Sequence, residues 1–280
     1  MYNTLINTQS LVARLGQKDQ IIFDCRFNLA DPDAGKRAYQ AAHIPNAFYL
    51  HLDHDLSSPI TATTGRHPLP DPQQLATKLA AYGLNENTQV FVYDDISGAF
   101  AARTWWLLRW LGHQAVAVLD GGLAAWLEQA APLDSSVPVL PKHSGNFKAH
   151  VQPDYFLTTE QLSPYPPYQL IDARSVERFR GELEPIDPIA GHIPTAKNRP
   201  LTDNLSQGQF KTAAQLQQEW SAQLAGLAPE QIVHMCGSGV SACHNLLAME
   251  IAGLSGSRLY VGSWSEWIRD PKRPIATGEA

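Results

Sequence analysis

The chain has 280 residues, 44% apolar and 17% charged, which is enough hydrophobic material for two buried cores and excludes a disordered chain. Acidic residues outnumber basic ones 27 to 21, for a net charge of -6, and no basic run exceeds "PKRP", so no nucleic-acid partner is expected. The opening residues lack the pattern of a signal peptide and no apolar run approaches membrane-spanning length, so no membrane partner is expected and a cytoplasmic location is.

In chain order, "IIFDCR" reads as a buried strand ending at Asp24, with Cys25 and Arg26 behind it. A turn, "AAHIPNA", surrounds His43, and "DPQQLATKLAAYGL" has helical periodicity. "VFVYD" is a second strand, ending at Asp94 and running into a helix, "AFAARTWWLLRWLG". "AVAVLDGGLAAW" is a strand and turn closed by Trp126. Residues 136–153, irregular and punctuated by proline, read as a linker. The series then returns: "QLIDAR" with Asp172 and Arg174, "AGHIPTA" with His192, the helix "TAAQLQQEWSAQLAGL", a strand broken at Cys236 in "IVHMCGSGVSACHNLLAMEIAG", and "SRLYVGSWSEW" with Trp267. Asp172 follows Asp24 by 148 residues, His192 follows His43 by 149, Cys236 follows Asp94 by 142 and Trp267 follows Trp126 by 141. Offsets this close indicate a duplication. The expected fold is therefore α/β, two tandem domains over 1–135 and 154–280, each a central parallel sheet flanked by helices.

The cysteines, at 25, 236 and 243, are odd in number and form no CxxC pair, which argues against a disulfide framework and a cysteine-zinc site. Open parallel sheets place ligands at the carboxyl ends of their strands, where Cys236 stands. The small residues Gly237, Ser238, Gly239, Val240, Ser241 and Ala242 can curl so that successive amides face one anion at the start of a helix, a field that favours a thiolate. A cysteine phosphatase needs an arginine six residues after its thiol, and that position is Ala242. Cys243 falls inside a helix and Cys25 on a strand end, both packing positions. His43, His192, Asp24 with Arg26, and Asp172 with Arg174 recur in the half that has no thiol at the loop, and so read as structural. His51, His54 and the neighbouring acids alternate across a turn without sulfur, so no metal site is expected.

With the duplication, the paired His-Ile-Pro turns and the loop "CGSGVSAC", the chain resembles the tandem rhodanese sulfurtransferases, and within them the 3-mercaptopyruvate branch. The resemblance implies two rhodanese-like domains, the first without a catalytic cysteine because Asp94 stands in its place. It implies a Cys236 persulfide that carries sulfur from 3-mercaptopyruvate to cyanide, a small thiol or a thioredoxin-like protein, without a cofactor. The alternatives it leaves are thiosulfate:cyanide transfer and a persulfide carrier that does not turn over. Asp53 and His67, in "HLDHDLSSPITATTGRHPLP", match the residues that join Ser238 in a proton relay at the thiol. Arg178 matches one of two arginines that bind the donor carboxylate. The second is absent from "ELEPIDPIAG", where Ile186 and Asp187 stand, and Arg199 is the expected substitute.

Overall fold

The computed structural model describes residues 1–162 and 168–279. They form two compact units, one of Met1–Ser58 and Leu69–Gln152, the other of Pro59–Pro68 and Pro153–Ala280. In the first unit the strands are β1 Leu5–Ile6, β2 Gln20–Asp24, β3 Ala47–Tyr49, β4 Gln89–Tyr93 and β5 Val116–Leu119. They form one parallel sheet in the order β1-β5-β4-β2-β3. Its helices are α1 Thr8–Val12, α2 Ala34–Ala41, α3 Leu52–Asp55, α4 Pro72–Ala81, α5 Ala101–Trp110 and α6 Gly122–Glu128.

The second unit repeats this plan. Its strands are β6 Phe156–Leu157, β7 Gln169–Asp172, β8 Lys197–Asn198, β9 Leu205–Ser206, β10 Gln209–Phe210, β11 Ile232–Met235 and β12 Arg258–Tyr260. The parallel sheet runs β6-β12-β11-β7-β8, and β9 with β10 form a separate antiparallel pair. The helices are α7 Val176–Arg180, α8 Ala213–Leu224, α9 Ala242–Ile251 and α10 Ser263–Trp267. The expected α/β architecture is thus observed in both halves.

Each element forms where its sequence directs. β4 and β11 are buried along their whole length, as centre strands covered on both faces must be. Asp71 caps α4 by accepting from the Gln73 and Gln74 amides, with Pro72 at the first helical position. Thr212 and Gln215 form a capping box on α8. Behind the first sheet Ile22, Phe91, Tyr93, Leu119 and Trp126 share one core, and behind the second Leu170, Val233, Met235, Tyr260 and Trp264 share another. Burying a side chain of this size contributes about 1.5–3 kcal/mol.

The recurring charged residues tie strand ends to turns. Arg26 donates to both Asp24 carboxylate oxygens and to the Ala42 carbonyl, while Arg174 does the same with Asp172 and Gly191. His43 stacks on Tyr39 and His192 on Phe179, each with Nδ1 against that ring residue's carbonyl. Within the stretch read as a linker, the Gly145, Phe147, His150 and Gln152 amides bond to Ala80, Leu84, Leu111 and Trp110, so its second half packs on the first unit. Among the described residues no helix is long and apolar enough to cross a membrane.

Candidate active site

In the second sheet Asp172 pairs with Met235, so Cys236 is the first residue beyond the central rung. It is 1% exposed. Its carbonyl accepts from the Trp264 amide at 3.0 Å and that of Gly237 from the Ser265 amide at 2.9 Å, so both carbonyls are committed to α10. The Cys236 amide donates to Ser263 Oγ at 3.1 Å, and that hydroxyl donates to the Tyr260 carbonyl. Ser263 holds a left-handed φ of 53°, an uncommon conformation for a residue with a side chain.

Beyond it one glycine is required and a second leaves room for a neighbouring side chain. A Cβ on Gly239, whose φ is +75°, would lie 2.6 Å from the Val261 carbonyl oxygen. A Cβ on Gly237 would lie 2.7 Å from Arg66 Nη2. Among the described residues, no group of the chain accepts a hydrogen bond from the amides of Gly237, Ser238, Val240, Ser241 or Ala242. α9 begins at Ala242 with no side-chain cap, so these amides sit at the positive end of a ten-residue helix.

The segment Pro59–Pro68 delivers His67 and Arg66 to this loop. The Arg66 amide donates to Ser265 Oγ at 3.1 Å, and Gly65 leaves no room for a side chain against the Gly262 carbonyl, 2.7 Å from its Cβ position. His67 Nδ1 and Ser238 Oγ are 2.7 Å apart, in hydrogen-bond contact, with both residues buried. Two of the expected relay residues are therefore brought together. Asp53 belongs to the first unit, on α3, where its amide donates to His51 Nδ1.

Arg178, on α7, is the other expected residue that reaches the loop. Its Nη2 and Nη1 lie 3.5 and 3.7 Å from the Gly237 Cβ position. Nε and Nη2 donate to Glu184, and Nη2 also to Asp187 Oδ2 at 3.2 Å. Asp187 Oδ1 accepts from Arg66 Nη1. Burial holds the Arg66 guanidinium below its usual range, and the nearby Cys236 sulfur opposes that.

Arg199 does not take the place expected of it. Its Nη2 donates to Glu219 at 2.8 Å and its Nε to Asn204 at 3.2 Å, and the guanidinium lies over the Trp220 ring, 4.4 Å from its centroid. These contacts fasten it to α8, as a planar guanidinium on an indole face favours. Cys25 and Cys243 are free and buried, Cys25 with its pKa pushed up by burial and Cys243 donating to the Gly239 carbonyl. Arg66 and Ser263 went unread in the sequence, and Asp187 was noted there only as standing where an arginine is absent. Adjacency to His67 was the one signal for Arg66.

A parallel α/β sheet whose centre strand ends in a cysteine at a small-residue loop defines a rhodanese-like domain. Rhodanese-like domains match residues 7–129 and 159–270, and the chain belongs to the rhodanese family. It is 51% identical, over 98% of each chain, to a protein of Pseudomonas aeruginosa named "Probable 3-mercaptopyruvate sulfurtransferase". It is 37% identical, over 99% of this chain and 98% of the other, to SseB of Mycobacterium tuberculosis, named as a candidate thiosulfate sulfurtransferase. The crystal structure of SseA from Escherichia coli, described among the 3-mercaptopyruvate sulfotransferases, matches with a TM-score of 0.80 at 30% identity, over 95% of this chain and 100% of that one. The relatives share sulfur transfer and differ in the named donor.

Proposed function

We propose that the protein moves a sulfur atom from 3-mercaptopyruvate to a thiol or cyanide through a persulfide on Cys236. The observation that carries this reading is the His67 to Ser238 contact of 2.7 Å on a loop whose uncommitted amides directly follow the cysteine. The Cys236 thiolate attacks the donor sulfur, forming an S–S bond as the C–S bond breaks. The electron pair leaves on the pyruvate enolate, which takes a proton and departs as pyruvate. Ser238 and His67 convey that proton, and the loop amides stabilise negative charge on the sulfur. An acceptor thiolate or cyanide then attacks the outer sulfur, giving a persulfide or thiocyanate and restoring the Cys236 thiolate. Asp53 keeps the part that the family resemblance assigns it. Besides donor and acceptor these steps call only on the chain's own residues, and the three free thiols suit the reducing cytoplasm.

Thiosulfate is the second reading, favoured by the name of the M. tuberculosis relative. Incubation with each donor followed by intact-mass measurement tests both. The wild type gains one sulfur from mercaptopyruvate, and Cys236→Ser gains none. An adduct retained in the variant moves the site elsewhere, and loading by thiosulfate alone reverses the choice of donor.

A further inference from the structure

The segment that carries His67 has no helix or strand of its own. From Pro59 to Pro68 the backbone is irregular, so where the imidazole stands depends on what the segment is fastened to. Its ties converge on α10 and the residues just after it. Arg269 Nε donates to the Thr64 carbonyl at 3.3 Å, the Gly65 amide to Glu266 Oε2 at 3.4 Å, and the Arg66 amide to Ser265 Oγ at 3.1 Å. The approach is close: a Cβ on Gly65 would lie 2.9 Å from Ser265 Oγ. The other Glu266 oxygen accepts from the Thr159 hydroxyl. Of these residues Ser265 also holds the thiol loop, through its amide to the Gly237 carbonyl at 2.9 Å. Its hydroxyl thus takes the amide next to His67, and its amide meets the carbonyl next to Ser238.

The duplication supplies an internal control. Two residues before Trp267 stands Ser265, which is buried; two before Trp126 stands Ala124, which is exposed, and Ala125 takes the place of Glu266. In both helices the amide of the preceding residue, Trp264 or Leu123, bonds the carbonyl of the first loop residue. The fold therefore forms without the hydroxyl, and the hydroxyl stands in the copy that has Cys236 and the His67 contact. Resting on the sulfurtransferase reading above, we infer that Ser265 is a positioning residue for the proton relay. It sets the His67 imidazole against Ser238 by tying the relay segment and the thiol loop to one point on α10, and it acts through His67 rather than on the donor. Such a tie matters because a hydrogen bond weakens steeply once its geometry is lost. A misplacement of about 1 Å at a reacting group costs on the order of a hundredfold in rate.

Ser265→Ala tests this, because it removes the acceptor of the Arg66 amide and leaves the amide that holds Gly237. With mercaptopyruvate kcat is expected to fall about tenfold while KM stays within about threefold, the pattern of lost chemistry rather than lost binding. The same substitution made in His67→Ala is expected to cost less than about twofold, since a residue that acts through His67 then has nothing left to place. A crystal structure of Ser265→Ala reads the positioning with no donor present: His67 Nδ1 and Ser238 Oγ leave hydrogen-bond range, or the imidazole takes several orientations. Should alanine fold poorly, Glu266→Gln is the second variant, leaving one acceptor oxygen where the carboxylate serves both Gly65 and Thr159. Its smaller loss of kcat is likewise expected to vanish in His67→Ala. Equal losses with and without His67 mark a general structural role and overturn the inference. So does a rise in KM with kcat unchanged, or a His67 contact that is intact in the variant structure. A wild type that takes no sulfur from mercaptopyruvate refutes the donor reading instead, and the variant structure still decides the part of Ser265.

Discussion

The loops after β4 and β11 are two versions of one device. At the first, Asp94 fills its own cradle: Oδ1 accepts from the Ile96 and Gly98 amides at 3.0 and 2.8 Å, and Oδ2 from Phe100 and Ala101, both at 2.8 Å. Burial pushes its carboxyl up and the four amides pull it back. At the second, Cys236 offers a sulfur and the amides are left for something else. In both, the carbonyl of that residue accepts from the next helix, through Leu123 at one and Trp264 at the other. The left-handed residue below is Gly122 in the first unit and Ser263 in the second, where a hydroxyl meets the Cys236 amide. The first loop is one residue longer, seven positions from Asp94 to α5 against six from Cys236 to α9, which absorbs the drop in offset from 142 to 141. The Asp94 carboxyl in the first copy shows what the geometry accepts: a hydrogen-bond acceptor at the start of a helix, where negative charge is favoured.

The largest expected difference between the loops is chemical. Neither His67→Ala nor Ser238→Ala touches the cradle's backbone, yet each should lower kcat with mercaptopyruvate by about 10² to 10⁴, the usual worth of a positioned acid or base. Removing both should cost little more than removing one, since they act as a pair. Wild-type turnover in either single variant removes the relay from the mechanism. The next difference is in stability. Asp94→Ala strips four amides, three of them buried, of their acceptor and should lower the free energy of unfolding in urea by about 3 kcal/mol or more. Cys236→Ala leaves amides that were already uncommitted, and should cost less. Equal losses would mean that the silent loop needs no internal anion.

Most of this contrast was legible in one dimension. Paired landmarks at matching offsets disclosed the duplication, and a thiol opposite Asp94 marked the copy proposed to carry sulfur. Strand and helix periods then specified the parallel sheets, because a buried centre strand and an amphipathic helix carry different repeats. Ser238 and His67 came from resemblance, and their contact depends on Pro59–Pro68 folding with the second unit, which nothing in "PITATTGRHP" announces. Arg66 was hidden for the same reason. Arg199 misled because an arginine near the right turn looks available until Trp220 and Glu219 are seen to hold it. Sequence spacing reports local structure well, but the partners of long charged side chains are set by tertiary contacts.

The smallest expected effect lies one step inside the strands, where β4 has Val92 and β11 has His234, each two residues before the loop. His234 is fully buried, with Nε2 against Met249 Sδ at 3.1 Å and its ring edge-on to Trp220. Burial, with Arg199 adding to it, pushes its pKa from 6.5 down to about 3, so the folded protein keeps it neutral through the working range. The unfolded chain takes up a proton below about pH 6.5 that the folded chain refuses down to about pH 3. Stability from this group is therefore complete above pH 6.5 and lost as the pH falls through that window, with a slope approaching 1.4 kcal/mol per pH unit at about one proton. His234→Val gives β11 the residue of its counterpart and should flatten the acid limb of the urea-midpoint profile between pH 6 and about pH 4. Because the comparison is of slopes, a packing loss at neutral pH does not disturb it. An acid limb as steep in the variant as in the wild type would show that His234 is not the group that separates the two strands in acid.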